Sequence, residues 1–104
     1  MSEAEIQRAI MVEFGSRSDL RLWRANTGKA KNPRTGQLVT FGVVGQPDLI
    51  GVRLPHGQLV GIEVKSPTGK QSQAQVAFQV MLERFGGLYI LARSVSDVYN
   101  ALNR

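Results

Sequence analysis

The chain has 104 residues, with 13 Lys and Arg against 8 Asp and Glu, one His and no Cys, for a net charge of +5. That length suits one small domain spanning residues 1–104, and the lack of cysteine excludes a disulfide framework, a zinc knuckle, a thiol nucleophile and an iron–sulfur site. With His56 as the lone imidazole, histidine metal clusters are excluded too, while the positive charge points toward a polyanionic partner.

Apolar content of 42% is that of a folded globule. The longest apolar runs fall short of a membrane span and the first residues lack a secretory n-region, so a soluble, cytoplasmic protein is expected. In chain order, Ser2 and Glu5 form a capping-box pattern that opens a helix. Ile6, Ala9, Ile10 and Phe14 follow at helical spacing, and Gly15 ends the run. Residues 20–26 alternate roughly apolar and polar, as a half-buried strand does. A Gly/Pro/Asn-rich stretch follows, and residues 38–44 then read as another extended segment. Two strong strands, 49–54 and 59–64, flank the turn signal Pro55-His56-Gly57. Ser72 and Gln75 repeat the capping box and open a second helix with Ala74, Ala77, Phe78, Met81 and Phe85 on one face. Gly86-Gly87 stops it. Residues 88–92 read as a short buried strand, and Ser94 or Ser96 caps a last helix bearing Val95, Val98, Tyr99 and Leu102. The order predicts an α/β fold with helices packed around one sheet.

Charge is unevenly placed along this order. No acidic residue occurs between Asp19 and Asp48, whereas Arg21, Arg24, Lys29, Lys31 and Arg34 fall inside that window. A loop of this composition suits a flexible strap over a phosphate backbone, and equally a solvated surface loop.

The acidic residues in the apolar strand pair need a reason to be there. Val60, Ile62 and Val64 share one face of the second strand, a core face, whereas Leu59, Gly61, Glu63 and Lys65 share the other. If Leu54 faces Gly57 across the turn, Asp48 lies directly opposite Glu63, with β-carbons about 4.5–5.5 Å apart. Two carboxylates so close repel unless one is protonated or a cation sits between them. A hard divalent ion resolves the conflict, and an all-oxygen site without histidine favours Mg²⁺ or Mn²⁺ over zinc. A bulge at Gly57 would slip the register by one residue and separate the two carboxylates. Asp48 would then be a turn residue after Pro47, and Glu63 and Lys65 a surface ion pair.

Gly45-Gln46-Pro47-Asp48, followed by Glu63-Val64-Lys65, resembles the PD-(D/E)XK nuclease signature. Five elements in order resemble one branch, the VRR-NUC domain. They are Ser2-Glu3-Ala4-Glu5-Ile6-Gln7, Trp23-Arg24-x-Asn26-x-Gly28, the Gly-x-Pro-Asp, the Glu-Val-Lys, and Ser72-x-x-Gln75. The resemblance covers nearly the whole chain and implies a stand-alone member of a group typical of phages and bacteria. It implies a restriction-endonuclease-like αβββαβ core, a mixed central sheet flanked by helices and an extra C-terminal helix.

The resemblance also implies roles. Asp48 and Glu63 would hold Mg²⁺, or Mn²⁺, with the backbone carbonyl of Val64. Lys65 would position the attacking water and stabilise charge on the scissile phosphate. Gln75 would support the site from the second helix, beside its role in the capping box. An acidic residue of the first helix would complete the site. Glu3 and Glu13 both lie within about 45° of the centre of the apolar stripe, whereas Glu5 lies well off it and is already used in the cap. Glu3 also stands where the family's first acid is found, and is preferred over Glu13 and Glu5. Arg21, Arg24, Asn26, Lys29, Lys31, Arg34 and Lys70 form the candidate DNA-contacting set.

The implied activity is metal-dependent hydrolysis of phosphodiester bonds in DNA. Neither Gly28-Lys29 nor Gly69-Lys70 has the glycine and hydroxyl spacing of a phosphate-binding P-loop. A chain this small has no room for a specificity domain, so recognition by shape through phosphates is expected rather than base reading. The family's stand-alone proteins are similar to Holliday-junction resolvases, and a homodimer of two-fold symmetry would present two sites to a four-way junction. Residues 38–44, including Phe41, are a candidate dimer surface or simply another core strand. The competing readings are a non-catalytic DNA-binding module of the same fold and a nuclease acting on flapped DNA or RNA.

Overall fold

Ser2 is the N-cap of helix α1 (Glu3–Phe14): its hydroxyl accepts from the Glu5 N–H, and the Glu5 carboxylate accepts from the Ser2 N–H in return. The computed structural model describes residues 1–25 and 28–104. After α1 the chain forms β1 (Leu20–Arg24), β2 (Gly28–Lys31), β3 (Leu38–Phe41), β4 (Leu49–Arg53) and β5 (Gln58–Val64). Helix α2 (Gln73–Arg84), strand β6 (Leu88–Ala92) and helix α3 (Val95–Leu102) complete it. Ser72 and Gln75 close the second capping box, and Ser94, not Ser96, caps α3. Both boxes satisfy backbone donors that a helix start otherwise leaves unpaired. No helix among the described residues is long and apolar enough to cross a membrane.

The central sheet has the strand order β1-β4-β5-β6. β1 and β5 run antiparallel to β4, and β6 runs parallel to β5. A parallel pair needs a crossover, which α2 supplies. The fold is thus a mixed α/β domain in which, among the described residues, three helices surround a mixed sheet. Ile6, Ile10 and Phe14 of α1 and Val98 and Leu102 of α3 pack on one face of the sheet, against Leu20, Leu22, Leu49, Val60, Ile62, Val64 and Ile90. That face carries the main core, and it includes the Val60, Ile62 and Val64 face expected from the alternation.

Helix α2 lies on the other face, and its buried stripe differs from the expected one. Phe78 and Leu82 turn inward against Tyr89, whereas Ala77, Met81 and Phe85 are exposed. The sheet decides this rotation. A β-carbon at Gly61 would lie 2.8 Å from Pro47 Cγ and 3.2 Å from Leu82 Cδ2, so the missing side chain is the socket that receives Leu82. Tyr99, expected in the α3 stripe, is exposed as well.

The basic stretch is not a loop throughout. Residues 28–31 form β2 and pair antiparallel with β3, from Gly28 opposite Phe41 to Lys31 opposite Leu38. The Pro and Asn residues make the turn of this hairpin: the Arg34 N–H donates to Asn32 Oδ1 and the Gly36 N–H to the Asn32 carbonyl. The hairpin is a two-stranded sheet of its own, so residues 38–44 are not a core strand. Leu38, Val39, Val43 and Val44 are exposed. The apolar pattern misleads here because a two-stranded arm has no second layer to bury it.

Candidate active site

The β4–β5 pairing sets Leu49 opposite Ile62 and Arg53 opposite Gln58. Extended by one residue, this register places Asp48 across from Glu63, as the turn geometry predicts. Asp48 is fastened on both sides. Its Oδ2 accepts from the Val64 N–H at 2.7 Å, and its backbone carbonyl accepts from the Ala25 N–H at 2.9 Å. A carboxylate taking a backbone donor from the partner strand holds that end of the sheet together.

Glu63 is 3% exposed and is the one buried charged side chain among the described residues. Lys65, two residues along the same face, brings Nζ to 3.5 Å from Glu63 Oε2. The other oxygen, Oε1, is buried without a hydrogen-bond partner. Burial first, and the facing Asp48 carboxylate second, push the Glu63 carboxyl up to about 7; Lys65 opposes both. In its protonated form Glu63 can donate to Asp48, which also favours the neutral acid. The site thus holds two acids of which one resists ionisation.

The turn that delivers Asp48 is built on Gly45. Its φ is +82°, and an added β-carbon would lie 2.2 Å from the Ala74 carbonyl oxygen in the first turn of α2. This contact packs the Gly-x-Pro-Asp segment against the start of α2. Gly57 has a similar φ of +74° with nothing within 4 Å. Gly57→Ala therefore costs only the left-handed backbone, about 1–2 kcal/mol. Gly45→Ala costs that and the collision, and is expected to lower stability at least twice as much in urea unfolding.

The remaining expected site residues fall around this centre. Glu3 Oε2 accepts from the Ser66 N–H at 3.2 Å, so the first turn of α1 meets the segment directly after Lys65. Glu5 is held in the Ser2 cap. Gln75 Oε1 accepts from the Ser72 N–H at 2.8 Å, which commits that atom to the capping box one residue from the Gly45 contact. Among the described residues no three His, Cys, Asp or Glu side chains gather closely enough to hold a metal, so Glu3 does not join the Asp48 and Glu63 pair as a third close carboxylate.

Arg93 was not visible as a site residue in the sequence. Its Nη1 donates to the Ser66 and Gly69 carbonyls, the latter at 2.8 Å, and its N–H donates to Asp97 Oδ2. The Lys65 N–H in turn donates to the Ala92 carbonyl at 3.0 Å. Arg93 therefore ties the loop after Lys65 to the start of α3. Only the parallel β5–β6 pairing puts residues 65 and 93 side by side, and no local pattern announces it.

The basic residues are exposed but not gathered on one plane. Arg21 and Arg24 point to opposite faces of β1, Lys29 and Lys31 share a face of β2, Arg34 sits in the hairpin turn, and Lys70 lies between β5 and α2. Asn26 lies outside the described residues. The chain leaves the sheet after Ala25, beside Asp48, and returns to it at Asp48, so the hairpin arm springs from the same end as the carboxylates. A groove of about 790 Å³ lies at the other end of β5, lined by Arg53, Pro55, His56, Leu59, Met81 and Phe85 among others, and by none of the expected DNA-contacting residues.

A divalent ion fits the donors present. Mg²⁺ takes one or two carboxylates and completes its shell with waters and substrate oxygens. Asp48 and Glu63 supply the two carboxylates, and the partnerless Glu63 Oε1 is the oxygen such an ion would satisfy. Comparison with protein-family models, curated proteins and solved structures finds no match to this chain. The resemblance to the VRR-NUC domain thus rests on the order of the sequence motifs alone.

Proposed function

We propose that this protein is a Mg²⁺-dependent endonuclease of the VRR-NUC type, with a PD-(D/E)XK core, that hydrolyses phosphodiester bonds in DNA. The observation that carries this reading is the buried Glu63 carboxylate, with one oxygen unpartnered, facing Asp48 and lying 3.5 Å from Lys65 Nζ. Asp48, Glu63 and the Val64 carbonyl would hold the ion, which when bound supplies Lewis acidity to the scissile phosphate and lowers the pKa of water. Lys65 keeps a positive charge over the same face, where it orients the attacking water and offsets the charge that grows on the phosphate. Asp48 holds the strand end through Val64, and Glu3 fixes the segment after Lys65 through Ser66, so both also act as positioning residues. Gln75 supports the turn bearing Asp48 from the start of α2.

The arm carrying Lys29, Lys31 and Arg34, together with Arg21, Arg24, Asn26 and Lys70, supplies phosphate contacts. The substrate proposed is branched DNA, cut by a homodimer whose two sites match the two-fold symmetry of a four-way junction. Exposed Leu38, Val39, Val43 and Val44 offer the apolar contact for that dimer.

The test is cleavage of four-way junction, flap, duplex and single-stranded DNA with Mg²⁺, Mn²⁺ or EDTA, beside a gel-shift assay. Metal-dependent cleavage with paired, symmetric nicks in the junction is expected. Binding without cleavage of any DNA would leave a non-catalytic module of the same fold. A single cut beside a flap would replace the junction as substrate.

A further inference from the structure

Trp23 stands on β1 opposite Ile50 of β4, on the face of the sheet that carries Asp48 and Glu63. Asp48 lies two residues along the chain from Ile50, and the Ala25 N–H to Asp48 carbonyl bond continues the ladder between them. Trp23 and Asp48 are therefore diagonal neighbours on one face, about 7–8 Å apart with their β-carbons somewhat closer. Helix α2 covers the β5–β6 half of this face through Phe78 and Leu82, but leaves the β1–β4 half open. Trp23 is 47% exposed there, and Arg21, two residues along on the same face, is exposed beside it. The open shelf thus carries an aromatic ring and a guanidinium, with a pair of carboxylates at its end. A cation beside an aromatic ring is the combination that holds an unpaired base and its phosphate.

We propose that Trp23 is a stacking platform for an unpaired nucleobase, placed so that the base rests on the indole while a neighbouring phosphate reaches the Asp48 and Glu63 end of the shelf. This rests on the nucleic-acid reading of the site and adds to it a preference: strands with unstacked bases, as at a junction centre, a flap or a single strand, over continuous duplex. The shelf is flat and carries a stacking surface rather than an array of hydrogen-bonding groups, so the preference is for unpairing and not for a particular base.

The chain holds a single tryptophan, so its fluorescence reports this position alone. The full chain, in Ca²⁺ so that a divalent ion can sit between the carboxylates and the phosphate, is titrated with a single-stranded oligothymidine and with a blunt-ended duplex hairpin of equal length. Quenching by the single strand and little change with the duplex are expected. Trp23→Ala should weaken single-strand binding, read by anisotropy of a labelled oligonucleotide, roughly 5- to 150-fold, while Trp23→Phe retains most of it. Duplex binding should stay within about twofold, because phosphate contacts carry it. Circular dichroism of both variants checks that this edge position leaves the fold intact. Binding of the single strand without quenching, equal loss on duplex and single strand, or no binding to either would overturn the proposal. Quenching and weakened binding in a protein that cuts nothing would keep Trp23 and remove the nuclease. Unchanged single-strand binding by a Trp23→Ala variant that still cuts would do the reverse.

Discussion

Glu63→Gln raises the unfolding temperature of the metal-free protein at pH 8, and the gain disappears as the pH is lowered to about 4.5. The folded Glu63 carboxyl sits at about 7 against an ordinary 4.5, so between these values the folded state holds a proton that the unfolded chain has released. Stability then falls as pH rises across this window, because the proton count is higher in the folded state. Below about 4.5 the group is protonated in both states and costs nothing. Above about 7 it must be ionised in a buried place, at a cost on the order of 3 kcal/mol. Gln keeps the shape of the neutral acid and removes that cost. For a domain of this size the shift is on the order of 10 °C, measurable by calorimetry in EDTA. Mg²⁺ should reverse the order, since a cation that binds the folded carboxylates stabilises wild type and has one ligand fewer in the variant. A Gln variant no more stable than wild type at pH 8 would mean that the Glu63 charge is no burden.

Lys65→Met is expected to slow cleavage by about 10²- to 10³-fold without abolishing metal binding. Methionine keeps the length of the stem and removes the ammonium that lies 3.5 Å from Glu63 Oε2. Two consequences follow from the same deletion. The scissile phosphate loses its fixed positive partner, and Glu63 loses the one neighbour that opposes its upward shift, so its carboxyl moves further up. The variant should therefore recover part of its rate as pH is raised, which a purely structural loss would not show. Asp48→Asn makes the complementary test. The amide oxygen can still accept from the Val64 N–H, so the strand end survives, but the negative charge facing Glu63 is gone. Glu63 should return toward the ordinary carboxylate range, Mg²⁺ should bind far more weakly, and cleavage should be lost in a protein that still folds. Full activity in either variant would remove that residue from the site.

Local chemistry made much of this arrangement readable. Ser2 with Glu5, and Ser72 with Gln75, mark helix starts because a hydroxyl and a carboxylate or amide three residues apart satisfy donors that lie within the same turn. The opposition of Asp48 and Glu63 was readable only in part. Alternation put Glu63 on the face away from the core, but the turn allowed two registers, and the β4–β5 pairing decided between them. Other features were not readable. The face of α2 followed from the socket at Gly61, and residues 28–31 needed β3 as a partner before they could be a strand.

The opening numbers constrain less than they suggest. Absence of cysteine and a lone histidine leave oxygen ligands as the chemistry a metal would need here, and the spacing of Asp48, Glu63 and Lys65 is where the proposed site draws them. Those are properties of composition and of short-range geometry, which the chain carries wherever it goes. The burial of Glu63, the meeting of Glu3 with Ser66 across 63 residues, the Arg93 clamp and the open shelf at Trp23 depend on which elements pack together. Packing is decided by sterics and desolvation summed over distant parts of the chain, so the charges could be read one residue at a time, but their surroundings only from the fold.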